Sequence, residues 1–242
     1  MKPIREQLTI LVNSCDAYYD VWSLFFSALD EYWPDRKLKV VLNIEEKHPN
    51  LGQNIIISNF ESKSQSAYWG ERLIESLKKI ETEYVLVVYD DFILERFIDD
   101  LELREILLKM DSNLDISVVY LTKLGLKIKE NSCLMCEREK GNKYALLDDT
   151  IDYRLNSAPA IWRKKDLLSY TDVFDNPWAW EVFGTYRTIG NNKKFYCPRE
   201  KEEDIFKYNS KKGGAIYRGK WVRDVVVDKD EKYNLNAKNR KI

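Results

Sequence analysis

Histidine is almost missing from this chain: His48, beside Pro49 in a polar stretch, is the only one in 242 residues. A Ser-His-Asp triad or a histidine-rich metal site needs a partner that one isolated His cannot supply. Glycine is also sparse, and neither G-x-G-x-x-G nor G-x-x-x-x-G-K-[ST] occurs anywhere in the sequence. Ordinary Rossmann oxidoreductases and P-loop enzymes depend on those loops, so both classes are set aside. Four cysteines are scattered through the chain, and no secretion signal precedes them, so reduced thiols are expected rather than disulfides. Cys133 and Cys136 form a lone "CLMC"; without a second Cys or His pair it reads as a loop or hairpin rather than a zinc site. No window approaches the roughly 18 to 20 apolar residues of a membrane span, and the short apolar stretch at the start is no signal peptide. A cytoplasmic protein is expected. Lys plus Arg (39) nearly cancels Asp plus Glu (40), so bulk charge points to neither a nucleic acid nor a membrane as the main partner.

What is present is a rhythm of strands and helices. "QLTILVNSC" (Gln7 to Cys15) reads as a buried strand, and "DVWSLFFSALDEYW" (Asp20 to Trp33) as a helix halted by Pro34. Strands follow at "KLKVVLNIE" (Lys37 to Glu45) and "NIIISN" (Asn54 to Asn59), then an amphipathic helix at Ser66 to Ile80. The run Tyr84 to Tyr89 is a further strand, followed by a helix at Phe97 to Met110 and a strand at Asp115 to Thr122. Such alternation implies an α/β fold with a mainly parallel sheet between two helical layers. Beyond about Lys123 the chain turns polar, suiting a hairpin excursion, before a strand and helix over Tyr153 to Tyr170 and another helix over Asn176 to Ile189. The charged end, 228–242, is expected to be a frayed tail.

The chemistry starts where the strand Tyr84 to Tyr89 ends in Asp90 and Asp91. Two carboxylates at the end of a buried strand are costly to desolvate unless something binds them. In an open α/β sheet ligands gather at the carboxyl ends of the strands, which brings Asn13, Ser14 and Asp16 into the same region. Acids without histidine suit a hard ion, Mg²⁺ or Mn²⁺, held jointly with phosphate oxygens. The competing reading is that the pair caps the turn into the next helix.

The stretch "RLIESLKKIETEYVLVVYDDFIL" resembles the nucleotide-binding half of GT-A-type bacterial glycosyltransferases associated with capsule and lipopolysaccharide synthesis. The resemblance extends to "ILVNSCDAYYDVW" and to "YRLNSAPAIWRKKDLL...NPWAWE". It implies a GT-A-like three-layer domain, with 1–122 binding the nucleotide-sugar and 123–227 the acceptor. It also implies a DxD-like motif, here "DDF", in which Asp90 and Asp91 hold metal and the donor diphosphate. Asn13, Ser14 and Asp16 would then hold base or ribose, and Arg72 would approach the nucleotide-sugar; its alternative is an ion pair with Glu75. Glu181, in "WAWE", matches by chain order the acid that serves as catalytic base, against the alternative of compensating a helix dipole. If it is the base, direct displacement with inversion follows. The segment "KKGGAIYRGKW", with Arg218 and Lys220, is either a basic lid over the diphosphate or a solvated hairpin. Tyr153, Arg154, Trp162 and Trp180 are the expected acceptor-binding residues.

The expected activity is metal-dependent transfer of a sugar from a nucleotide-sugar to a glycan or lipid-linked glycan, with possible contact at the inner membrane face. A sugar nucleotidyltransferase fits less well, because "VNSCDAYYD" lacks the glycine-rich loop of that class. A non-catalytic carbohydrate- or nucleotide-binding module is the third reading.

Overall fold

The computed structural model describes residues 2–51, 54–59, 68–134, 143–233 and 240–241. A single turn, α1 (Ile4–Gln7), leads into β1 (Leu8–Asn13), all six of whose residues are buried. A continuous apolar run is what a strand covered on both faces requires. α2 (Trp22–Tyr32) buries Trp22, Leu24, Phe25, Phe26, Ala28 and Leu29, a broad apolar face against the sheet. β2 (Val40–Asn43) and β3 (Ile55–Ser58) follow, then α3 (Trp69–Lys78) and β4 (Tyr84–Tyr89). α4 (Asp100–Ser112) starts three residues later than expected from the sequence, because the Asp99 carboxylate accepts from the Leu101 and Glu102 N–H groups and sets the cap there. β5 (Ile116–Tyr120) ends the first half of the chain.

The polar excursion forms the antiparallel pair β6 (Ile128–Lys129) and β7 (Tyr144–Leu147), so the expected hairpin joins the sheet at its edge. Cys136 lies outside the described residues. β8 (Ala160–Arg163), α5 (Lys164–Ser169), α6 (Pro177–Arg187) and β9 (Lys194–Pro198) follow. A small hairpin of β10 (Ile216–Tyr217) and β11 (Lys220–Trp221) precedes α7 (Arg223–Tyr233). Part of the segment expected to fray is thus helical: Lys229 pairs with Glu95, and Tyr233 donates to Glu31 at 2.6 Å.

The main sheet has the order β3-β2-β1-β4-β8-β5-β9-β7-β6. Among its described strands only β8 and β7 run against the rest. Alternate residues feed two cores. Ile10, Val12, Leu86 and Val88 face the layer of α2, α4 and α7, while Leu11, Val85 and Val87 face α3, α5 and α6. Three layers, helix on sheet on helix, follow directly. The strand order conceals one surprise. β8, from the second half of the chain, inserts antiparallel between β4 and β5. Arg163 at its end is fully buried, donating to the Met110 carbonyl at 2.6 Å and to the Tyr84 hydroxyl at 3.2 Å, and pairing with Glu83. No helix among the described residues is long and apolar enough to cross a membrane.

Candidate active site

From β1 the chain steps outward through β2 to β3, then returns to lay β4 on the other side of β1. The strand order therefore reverses between β1 and β4, and a crevice opens at their carboxyl ends. Asn13 and Tyr89 stand side by side there in parallel register. Ser14, Asp90 and Asp91 follow them into a cleft of about 760 Å³, which is also lined from the second half of the chain by Ser157, Glu181, Lys212 and Arg218.

The two acids have different surroundings. Asp90 is buried, and its Oδ2 accepts from the Ser14 hydroxyl and, at 3.1 Å, from Trp22 Nε1. The same indole N–H lies 2.7 Å from Ser14 Oγ, so the three side chains form one triangle. Burial, with the charge of Asp91 behind it, pushes the Asp90 carboxyl well above its usual range, against the pull of Ser14 and Trp22. Burial raises Asp91 to about 7. The Asp91 carbonyl accepts the Ala215 N–H at 2.7 Å. Gly214 lies directly over its carboxylate: a Cβ there would stand 2.5 Å from Asp91 Oδ2, and the glycine's φ of +154° is one that side chains disfavour.

Arg72 Nε, buried on the cleft wall, has no partner within the protein; Asn13 Nδ2 and Tyr89 OH make no well-aligned hydrogen bond, although the Asn13 and Ser157 side chains stand close enough to Tyr89 to offset part of the rise that burial gives its hydroxyl. Buried polar groups are rarely left so, and a polar ligand in the cleft would satisfy them. Arg72 does not pair with Glu75; its guanidinium reaches the Ser14 carbonyl at 3.4 Å and Glu45 at 3.5 Å, while Glu75 pairs with Lys78. Cys15 also lines the cleft, but burial, with Asp90 and Glu45 nearby, pushes its thiol up to about 11 and keeps it protonated.

On the other side, Asn176 caps α6 by accepting from the Ala179 N–H at 2.8 Å, and Pro177 occupies the first turn, where its missing N–H costs nothing. This fixes the helical phase that brings Trp178 and Glu181, three residues apart, to the cleft. Glu181 Oε1 accepts the Ser157 N–H at 2.8 Å, which holds the carboxylate in place. The basic segment forms the β10–β11 hairpin, and Lys212, Tyr217 and Arg218 on its cleft side make a wall. The Arg218 guanidinium rests 5.3 Å from the centre of the Tyr217 ring.

No protein-family profile and no curated protein matches the chain. Solved structures do. Staphylococcus aureus TarS, a glycosyltransferase, solved as residues 1–349 with UDP, superposes with a TM-score of 0.53 at 14% identity, covering 81% of this chain and 58% of that one. A second structure of TarS 1–349 gives 0.52 at 16% identity over the same shares, and a further TarS structure 0.51 at 17% identity, 81% of this chain and 35% of that one. The fold is of the GT-A type. This chain spans little more than half the length of TarS 1–349.

Within the GT-A frame, the sequence-based expectations divide sharply. Asn13, Ser14, Arg72, Asp90, Asp91, Glu181 and Arg218 come together around one cleft. Asp16, Lys220, Tyr153, Arg154, Trp162 and Trp180 are not among the residues that line it. Asp16 is a loop clamp, its carboxylate accepting from the Glu46 and Lys47 N–H groups at 3.0 and 3.1 Å. Trp162 and Trp180 are core residues, packed against each other with ring centres 6.1 Å apart, and neither has a face for an acceptor. Arg154 is buried against the Phe195 ring, 4.1 Å away, with its two terminal nitrogens donating to the Thr188 and Lys193 carbonyls and one of them also pairing with Asp149. Tyr153 is exposed in a left-handed turn at φ 57°, and Lys220 is exposed on the hairpin's outer side. Sequence reasoning missed Tyr89, Ser157 and Trp178. Trp178 was legible: with Pro177 at the first position of the helix, Trp178 rather than Trp180 shares a face with Glu181.

The acids can be tested against a divalent cation. No group of three or more His, Cys, Asp or Glu residues capable of holding a metal exists among the described residues. Mg²⁺ and Mn²⁺ do not need one, since they take one or two carboxylates and fill the remaining positions with phosphate and water. Asp91, whose carboxyl is destabilised by burial and sits beside Asp90, fits that role. Asp90 already spends one oxygen on Ser14 and Trp22.

Proposed function

We propose that this protein is a glycosyltransferase that moves a sugar from a nucleoside-diphosphate sugar to a hydroxyl of a glycan or glycolipid, with inversion at the anomeric carbon. The observation that carries the reading is the convergence of Asp90–Asp91 and Glu181 on one cleft whose walls also present unsatisfied polar atoms and cations. The UDP complex of TarS, which shares the fold, supports a uridine nucleotide as the first donor to try. Asn13 and Arg72 would hold the nucleoside end, and Lys212 and Arg218 the diphosphate. Asp91, with Asp90 behind it, would hold a divalent cation, whose positive charge stabilises the departing diphosphate.

Glu181 is the general base. Its Oε1 is occupied by the Ser157 N–H, which leaves the second oxygen to accept the acceptor hydroxyl's proton as that oxygen attacks the anomeric carbon. No enzyme nucleophile intervenes, so the configuration inverts. The hairpin wall and the aromatic pair Phe92–Tyr208, stacked at 4.4 Å, restrict water around the donor. Synthesis of a bacterial surface polysaccharide is the setting this reading favours.

The test is a thermal-shift panel of nucleoside diphosphates with and without Mn²⁺, followed by hydrolysis of the matching nucleotide-sugar. A ligand binding only the folded state raises its stability. Metal-dependent stabilisation by one nucleotide and slow release of its sugar are expected. Glu181→Gln should reduce transfer by about 10²- to 10⁴-fold while the nucleotide still stabilises the protein. No response to any nucleotide refutes the reading.

A further inference from the structure

α6 turns an unusual face to solvent. Trp178 is 76% exposed, and Phe183, Tyr186 and Val182 beyond it are also uncovered. Phe174, in the loop before the helix, is 71% exposed and packs edge-on against Tyr68 with ring centres 5.2 Å apart. Single exposed apolar residues need no explanation, but an exposed ridge at four-residue spacing, Trp178, Val182 and Tyr186 with Phe183 beside it, does. The row is held rigidly. Asn176 and Pro177 fix the first turn, and the helix is anchored by its buried residues Trp180, Gly184 and Thr185. The Leu155 side chain would meet a Cβ at Gly184 at 3.2 Å, so the helix sits close on its support.

The row also leads somewhere. Trp178 lines the same cleft as Glu181, one turn away on the same helix. From Trp178 to Tyr186 the helix advances about 12 Å, more than one sugar ring requires. We propose that Trp178 is the stacking platform for the sugar that presents its hydroxyl to Glu181, and that Phe183 and Tyr186 extend this into a track for an oligosaccharide. The acceptor is then a chain of linked pyranoses whose C–H faces lie on aromatic rings, not a free monosaccharide. This inference rests on the transferase reading for its direction of chemistry, though not for the binding itself.

The charge pattern favours a glycan over a bilayer. A helix that lies on an anionic membrane carries free cations flanking its aromatic residues. The one cation on α6 is Arg187, and both arms of its guanidinium are taken by Asp175, at 2.5 and 2.8 Å. An uncharged, ring-shaped ligand matches this surface better.

The experiment measures binding of methyl β-D-glucopyranoside, cellotriose, maltotriose and chitotriose to the full chain by saturation-transfer NMR and calorimetry, without nucleotide. At least one trisaccharide should bind more tightly than the monosaccharide. Trp178→Ala should weaken it about tenfold or more, with Trp178→Phe restoring most of the loss because an aromatic face remains. In a transfer assay the same variant should raise KM for the acceptor far more than KM for the donor. Trp178 is exposed, so an unchanged unfolding temperature separates lost binding from lost fold. The proposal is overturned if no saccharide binds, or if Trp178→Ala binds as well as the parent protein. It is overturned too if Trp178→Ala instead abolishes co-sedimentation with vesicles of phosphatidylglycerol and phosphatidylethanolamine, which would make the face a lipid contact. If the parent protein binds saccharide but no nucleoside diphosphate stabilises it, the platform stands and the transferase reading falls.

Discussion

Replacing Asp91 by Asn should stabilise the empty protein while removing its metal-linked response to nucleotide. Burial raises this carboxyl from an ordinary 3.8 to about 7. A group that holds its proton more tightly folded than unfolded favours the folded state fully below pH 3.8; that advantage drains away as pH rises through 7. Three pH units at 1.36 kcal/mol each give a cost of at most about 4 kcal/mol for ionised Asp91 at pH 8. Asn does not ionise, and its amide oxygen can still accept a backbone N–H. With about 2 to 4 °C per kcal/mol for a chain of this size, Asp91→Asn in chelator should melt on the order of 10 °C above the parent at pH 8. At pH 4 the gap should close. Added Mn²⁺ and the cognate nucleotide should reverse the order at pH 8, because only the parent gains a ligand. Scanning calorimetry of both proteins between pH 4 and 8 checks this. A difference that does not vary with pH, or a parent more stable than the variant at pH 8 in chelator, would refute the account of Asp91 as a strained, cation-seeking acid.

Other expectations follow from the same geometry. Gly214→Ala drives a methyl to within 2.5 Å of the Asp91 carboxylate; nucleotide-induced stabilisation should shrink several-fold in thermal shift, whereas Gly213→Ala, with open space at its Cβ, should act mainly through its φ of +87°. Trp162→Ala should cost about 3 to 5 kcal/mol of stability in denaturant unfolding, as for a large core side chain; a selective rise in acceptor KM without that loss would restore it as a site residue. Cys15 should react slowly with iodoacetamide at pH 8 despite lining the cleft, because burial keeps its thiol protonated. Fast alkylation would contradict that.

The sequence displayed the layers well because β1 and β4 are continuous apolar runs and α2 and α3 carry their buried stripes at helical spacing. It displayed Asp90 and Asp91 because they follow the end of a continuous apolar strand, and Glu181 because the Asn176–Pro177 helix start sets its place inside α6. What it hid was tertiary. The core rings Trp162 and Trp180 have the same composition as a sugar-stacking pair, and only the strand order reveals that β8 buries the first of them between β4 and β5. Arg154 reads as a binding cation, but its terminal nitrogens donate to the carbonyls of Thr188 and Lys193, 34 and 39 residues along the chain. Asp16 follows a strand end as a ligand-binding acid would, yet its oxygens point back into the Glu46–Lys47 turn.

The insertion of β8 has a further consequence. A chain cut at residue 122 would leave β4 with one edge bare where Ala160 to Arg163 should pair, and would strip Tyr84 of its contact with Arg163. The first and second halves of the chain are interlaced through one sheet instead of joined end to end, so neither can be expressed as a self-sufficient half. Exchanging acceptor preference between relatives by swapping whole C-terminal segments would break the sheet. Grafting the exposed face of α6 alone would leave it intact.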